Sequence, residues 1–313
     1  MDNVPNTCTA AGPQPTANLS SVIYFIGCDM GGWHTDEGTG GDGLAVCKWD
    51  GSDLSHVGEW CGRLFYPVKS YAPQLTGQAS QNNVANFISS IAAVAEDQIL
   101  DGLVSAMVAE KARIVIAIDA ALAWPAEFVE LVNKAPSAGH EAKFALGNAI
   151  DNPYLYRETE RFIKAAVSLK KDPFTAPGAW FGNNSSKAQA LVACFAQRLG
   201  GLYRPPFCPW DMQTARAAQY ALIEVYPAAS LKSTAFGNLK WPAAPQTMAT
   251  VGNSDIADAK RCAMTGVCYA AKLGMLGQAA GNYPDVWLPG DQCNGVSYNC
   301  ALLQQEGWIF CPK

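Results

Sequence analysis

Charge and histidine are both scarce in this chain. Of its 313 residues 16% are Asp, Glu, Lys or Arg, three are histidine, and the net charge is −5. No basic stretch stands out, which argues against bulk electrostatic binding of a polyanion or an anionic membrane. The first twenty residues, MDNVPNTCTAAGPQPTANLS, have neither a basic start nor an apolar core segment. They read as a disordered N-terminal tail over 1–20 and not as a signal peptide or anchor. The longest mainly apolar region, 91–109, is interrupted by Glu96, Asp97 and Asp101, which excludes a membrane span there. A soluble, cytoplasmic protein is expected.

Several paired motifs are missing as well. The eleven cysteines include no C-x-x-C pair, so a zinc cluster is not expected and buried, reduced thiols are the default reading. Cys293 and Cys300 flank a Gly/Asn/Ser loop and would pair only in an oxidising compartment. No G-x-G-x-x-G joins a strand to a helix, which argues against a dinucleotide-binding fold. Neither a G-x-S-x-G elbow nor a cysteine with a neighbouring histidine suggests nucleophilic catalysis.

What is present is apolar residues, 49% of the chain, enough for one large core over 21–313 with helical insertions. SVIYFIGC (21–28) and GLAVCKW (43–49) read as strands of a hairpin, with a further short strand within 57–66. Residues 80–111 have helical spacing, and ARIVIAID (112–119) reads as a central strand buried on both faces. Pro125 opens a short helix to about 134, and Asn152-Pro153 is read as starting a helix through YLYRETERFIKAA. A further helix covers 184–199, and ALIEV (221–225) is a short strand followed by helical AASLKSTA. Ser254 caps a long helix stopped by Gly274, and EGWIFCP closes the chain as an edge strand. The order implies an α/β fold with a mixed sheet.

Within that order the acids fall in a pattern. Asp29, Asp119 and Glu224 each stand at or next to a strand end, and Asp255 and Asp258 lie three apart in the first turns of a helix. Each taken singly is ordinary, because aspartate is a common turn residue and acids suit helix N-termini. Taken together they could meet at one sheet edge, where ligand crevices of open α/β sheets form. Carboxylates gathered there would repel, and hard oxygen ligands favour Mg²⁺ or Mn²⁺ as the ion that relieves the repulsion. Gly31 and Gly32 would let a phosphate approach the backbone beside Asp29. Arg157 and Arg161, one helical turn apart, could clamp a phosphate, or could stand on a solvated face where Glu158 and Glu160 pair with Arg161 and Lys164. His34 is a candidate proton shuttle, and Trp33 and Trp124 are candidates for base stacking if Asp29 and Asp119 share an edge.

The succession GCDMGG, AIDAAL, YRETER, IEVYPAAS, SDIADAKRCAMTG and EGWIFCP resembles the predicted-nuclease family known as domain of unknown function 429. SDIADAKRCAMTG is also similar to the last helix of Holliday-junction resolvases, where a D-x-x-D pair supplies metal ligands. The resemblance spans about 22–313 and implies an RNase H-like mixed β-sheet flanked by helices. It further implies Asp29, Asp119, Asp255 and Asp258 as metal ligands, with Asp29, Asp119, Glu224 and Asp258 as the catalytic set. The implied chemistry is phosphodiester hydrolysis with two metals about 4 Å apart. The acidic net charge favours a small or single-stranded substrate over long nucleic acid. Two other readings stand beside this one: an actin-like phosphotransferase, whose first strand also ends in D-x-G-G, and a catalytically silent binding or scaffold protein.

Overall fold

The computed structural model describes residues 20–31, 41–62, 97–133, 149–173, 179–204, 210–242, 244–291, 293 and 298–313. Six strands make one mixed sheet: β1 (Ile23–Asp29), β2 (Asp42–Trp49), β3 (Leu54–Gly62), β4 (Arg113–Asp119), β5 (Tyr220–Val225) and β6 (Ile309–Phe310). Their order is β3-β2-β1-β4-β5-β6. β2 lies antiparallel to β1 and β3, whereas the β1–β4, β4–β5 and β5–β6 pairs are parallel.

Helices cover both faces: α1 (Asp97–Ala109), α2 (Ala126–Asn133), α3 (Glu158–Ala166), α4 (Ala179–Leu199), α5 (Met212–Ala217), α6 (Pro227–Ser230), α7 (Thr234–Gly237), α8 (Asp255–Lys272) and α9 (Cys300–Glu306). Because strand side chains alternate between faces, β1 and β4 feed two cores at once. Phe25, Val115 and Ala117 pack in one core with Ala259, Ala263 and Val267 of α8. Ile26, Ile114 and Ile116 pack in the other with Met107 of α1 and Leu191 and Phe195 of α4. This double burial accounts for the unbroken apolar runs in β1 and β4.

α8 sits unusually close to the sheet. Its start is fixed by Ser254, whose hydroxyl accepts the Ala257 amide at 3.2 Å, and Gly274 follows its end at φ +69. A Cβ at Gly27 would lie 1.9 Å from the Ala259 carbonyl oxygen and 2.4 Å from the Ala263 nitrogen. A Cβ at Gly43 would lie 2.1 Å from the Asp255 carbonyl oxygen. The helix backbone therefore rests directly on β1 and β2 where those strands have no side chain.

Some local expectations need correction. β3 begins at Leu54, ahead of the expected 57, because Asp50 accepts the Ser52 and Asp53 amides at 2.8 and 2.9 Å and closes a tight turn. The helix expected from Asn152-Pro153 begins instead at Glu158, because Asn152 turns back onto the Tyr154 amide at 2.9 Å. The helix expected over 184–199 starts earlier, at Ala179. The reading of reduced thiols fails at Cys300, which is in a disulfide, while Cys293 is a free thiol, so the conditional Cys293–Cys300 pair is not the one made. The tail 1–19 and the stretch 80–96 of the helix expected over 80–111 lie outside the described residues.

Gly27→Ala should cost roughly 1–3 kcal/mol or more in urea unfolding, the usual scale of overpacking. Gly281→Ala, with nothing within 4 Å of its added Cβ, should stay within about 0.5 kcal/mol of wild type. Equal effects at the two positions would contradict the close helix–sheet contact.

Candidate functional site

Two carboxylates meet because two parallel strands end together. Asp29 and Asp119 are the last residues of β1 and β4 and are paired in register across the sheet. The close seating of α8 adds Asp255 and Asp258 from its first turn, and β2 adds Asp42 beside Gly43, the register partner of Asp29. The proton affinity of Asp29 is raised well above normal, first by burial and then by Asp119, Asp258, Asp255 and Asp42. That of Asp119 is raised by burial, then by Asp258 and Glu224. The charged neighbours acting on these two aspartates are thus carboxylates, each opposing ionisation of the other.

The surrounding acids have partners. Asp42 is bound by Lys187 of α4 at 2.7 Å and accepts the Gly31 amide at 2.9 Å. Asp258 pairs with Arg261 at 2.6 Å, and Arg261 also holds the carbonyls of Met248 and Gly252. Asp255 accepts the Gly41 amide at 2.8 Å, with the Cys61 thiol 3.9 Å away.

Glu224 is enclosed by Arg157. The guanidinium donates to both Glu224 oxygens, to Glu160 at 2.8 Å and to the Glu306 carbonyl at 3.0 Å. Burial works against the Arg157 charge, but Glu160 and Glu224 more than offset it. Glu224 also accepts the Leu122 amide at 2.9 Å, and the Leu122 carbonyl is held by Gln189 and Arg204. The loop after Asp119 is therefore pinned at both the amide and the carbonyl of one residue, Leu122. Glu306 accepts the amides of Ala126 and Glu158, each at 2.8 Å, so one carboxylate serves the starts of both α2 and α3. A small cavity of about 30 Å³, room for one or two waters, lies against Asp119, Arg157, Glu224 and Tyr226. Burial and the nearby Asp119 push the Tyr226 hydroxyl up to about 12.

These placements sort the expected residues. Asp29 and Asp119 share one edge, with Asp258 and Asp255 acting on Asp29 from α8 and Glu224 acting on Asp119. Arg157, 1% exposed, turns its guanidinium inward, and Arg161 is engaged by Glu158 and the Tyr156 carbonyl, both at 2.9 Å. Neither is offered as a free clamp. Gly31 gives its amide to Asp42, and a Cβ there would lie 2.7 Å from the Gly41 oxygen, so strand closeness accounts for this glycine. Gly32, Trp33 and His34 lie outside the described residues. Trp124 stacks on Phe128 at 5.7 Å.

Sequence reasoning missed Asp42, Lys187, Glu160 and Glu306. Only Asp42 carried a visible signal, as an acid opening the second strand next to a glycine. As they stand, no three His, Cys, Asp or Glu side chains among the described residues are grouped to hold a metal ion. The donor chemistry of Asp29 and Asp119 nevertheless fits a hard divalent cation, because both are oxygen ligands facing repulsion. Compared with protein families, with curated proteins and with solved structures, the chain shows no match.

Arg157→Met should destabilise the protein by about 3–5 kcal/mol in chemical denaturation, since it strands buried carboxylates. Arg157→Lys should recover little, because one ammonium cannot reproduce the fork that serves two glutamates. A loss under about 1 kcal/mol would contradict this account of the network.

Proposed function

We propose that this chain is an RNase H-like, Mg²⁺- or Mn²⁺-dependent phosphodiesterase of the predicted-nuclease type that its motifs resemble. The observation that carries this reading is the in-register pair Asp29 and Asp119, whose acting charges are other carboxylates. Asp29, Asp119 and Asp258 would hold the ion, with Asp255 beside them on the first turn of α8. When bound, a divalent cation supplies a more acidic water and neutralises charge developing on phosphoryl oxygens. Asp29 and Asp119 are fixed for that task by strand pairing. Glu224 acts beside them by holding the Leu122 amide, which keeps the loop after Asp119 in place.

The substrate class follows from the cations. Arg157, Arg161, Lys187 and Arg261 are all engaged by the protein's own acceptors. These four are not free to track a long phosphate backbone, and together with the net charge of −5 this favours a small or single-stranded phosphodiester. One observation favours a second reading, a silent binding or scaffold protein: no ready-made metal cage stands among the described residues.

Calorimetric titration of Mn²⁺ into wild type and Asp29→Asn, with cleavage of an oligonucleotide pool and of a small phosphodiester in parallel, separates the two. The phosphodiesterase reading expects binding and cation-dependent cleavage in wild type, both lost in the variant. Wild type that neither binds nor cleaves would leave the scaffold reading.

Metal-free stability gives an independent check with a defined sign. A carboxyl whose proton affinity is raised on folding contributes stability below its unfolded pKa of about 3.9, and that contribution is lost as pH rises through the folded value. In EDTA at pH 7, Asp119→Asn should therefore stabilise the protein measurably, at about 1.4 kcal/mol for each tenfold rise in proton affinity that the mutation removes. The gain should vanish near pH 4. Destabilisation at pH 7 would mean that Asp119 has an attractive partner.

A further inference from the structure

One ion pair near the site is wholly buried and links three elements. Asp42 is 0% and Lys187 1% exposed, and the ammonium lies 2.7 Å from each carboxylate oxygen. Oδ1 of the same carboxylate accepts the Gly31 amide at 2.9 Å. Gly31 is two residues beyond Asp29, and Gly43, next to Asp42, is the register partner of Asp29. A single carboxylate thus ties the end of β1 to the start of β2, and Lys187 ties that carboxylate to α4.

Buried ion pairs of this kind add little net stability, because desolvation of both charges consumes most of their attraction. What such a pair does supply is placement. α8 reaches the acids from one face of the sheet, whereas α4 packs in the core of the other face. Lys187 is the point at which α4 grips the edge that carries Asp29. It also balances the charge of Asp42, the one acid of β2 that acts on Asp29.

We infer that Lys187 and Asp42 are positioning residues that hold Gly31, and through it Asp29, in the geometry needed to take a divalent cation. The inference rests on the metal-site reading above and adds to it two residues that touch neither ion nor substrate. Groups that orient ligands in this way affect metal affinity by about 10–100-fold when removed.

The test uses Lys187→Met and the double variant Lys187→Met/Asp42→Ala in the full chain. The single variant leaves a buried carboxylate without its cation and should lower Tm. The double variant removes both charges, restores part of the lost Tm and leaves the net charge unchanged, so bulk electrostatics cannot explain a change in ion binding. It should still bind Mn²⁺ at least ~10-fold more weakly than wild type, and its Gly31 amide should exchange with solvent at least several-fold faster in the metal-free protein. Wild-type Mn²⁺ affinity in the double variant would overturn the inference and leave an ion pair of purely structural value. Wild type that binds no Mn²⁺ would overturn the metal reading itself. Gly31 exchange then decides the clamp alone, and unchanged exchange in the double variant overturns it too.

Discussion

The arrangement of this molecule depends on a helix backbone lying against a sheet backbone. Gly27 and Gly43 present no Cβ where α8 crosses β1 and β2, and a methyl group at either would collide with helix main-chain atoms. Interiors packed at crystal-like density accommodate such a collision only by moving the whole helix. A displaced α8 would carry Asp255 and Asp258 away from the strand ends. The fold and the acid cluster thus share one steric condition.

Charge is compensated unevenly around that contact. At the periphery, Asp42, Asp258 and Glu224 each have a cation within hydrogen-bond reach. At the centre, Asp29 and Asp119 are acted on by carboxylates. A protein selected for stability alone would gain by neutralising that centre, which is why unfavourable electrostatics of this kind tends to mark working sites. The peripheral pairs do not relieve the centre. They fix the backbone around it: Glu224 through Leu122, Asp42 through Gly31, and Glu306 through the starts of two helices.

Much of the frame was legible in the sequence because it is local. The apolar runs ending at Asp29 and Asp119, the Ser254 cap and the stop at Gly274 each announce themselves within a few residues. The mixed sheet followed from a hairpin-rich start and later alternation of strands with helices. What was not legible is long-range pairing. Arg157 finds Glu224 67 residues away, and Lys187 finds Asp42 145 residues away. On a helical wheel Arg157 and Arg161 look alike. Only the fold buries the first, and only then does its fork become an internal tie. The start of α3 was misplaced for a local and a long-range reason: Asn152 turns back onto the Tyr154 amide, and the Glu158 amide is satisfied by Glu306 from 148 residues away. In the terminal EGWIFCP block, Glu306 serves two helix starts and the Ile309 amide bonds the Thr159 hydroxyl at 2.7 Å, roles that only the fold reveals.

The central claim is that Asp29 and Asp119 form the heart of a divalent-cation site. Anomalous scattering from crystals grown in millimolar Mn²⁺ tests it most directly. The account predicts a manganese peak with ligand oxygens from both Asp29 and Asp119, within the oxygen-ligand distances of a hard cation. A fully ordered edge with no peak between them, or a peak confined to other acids, would contradict it.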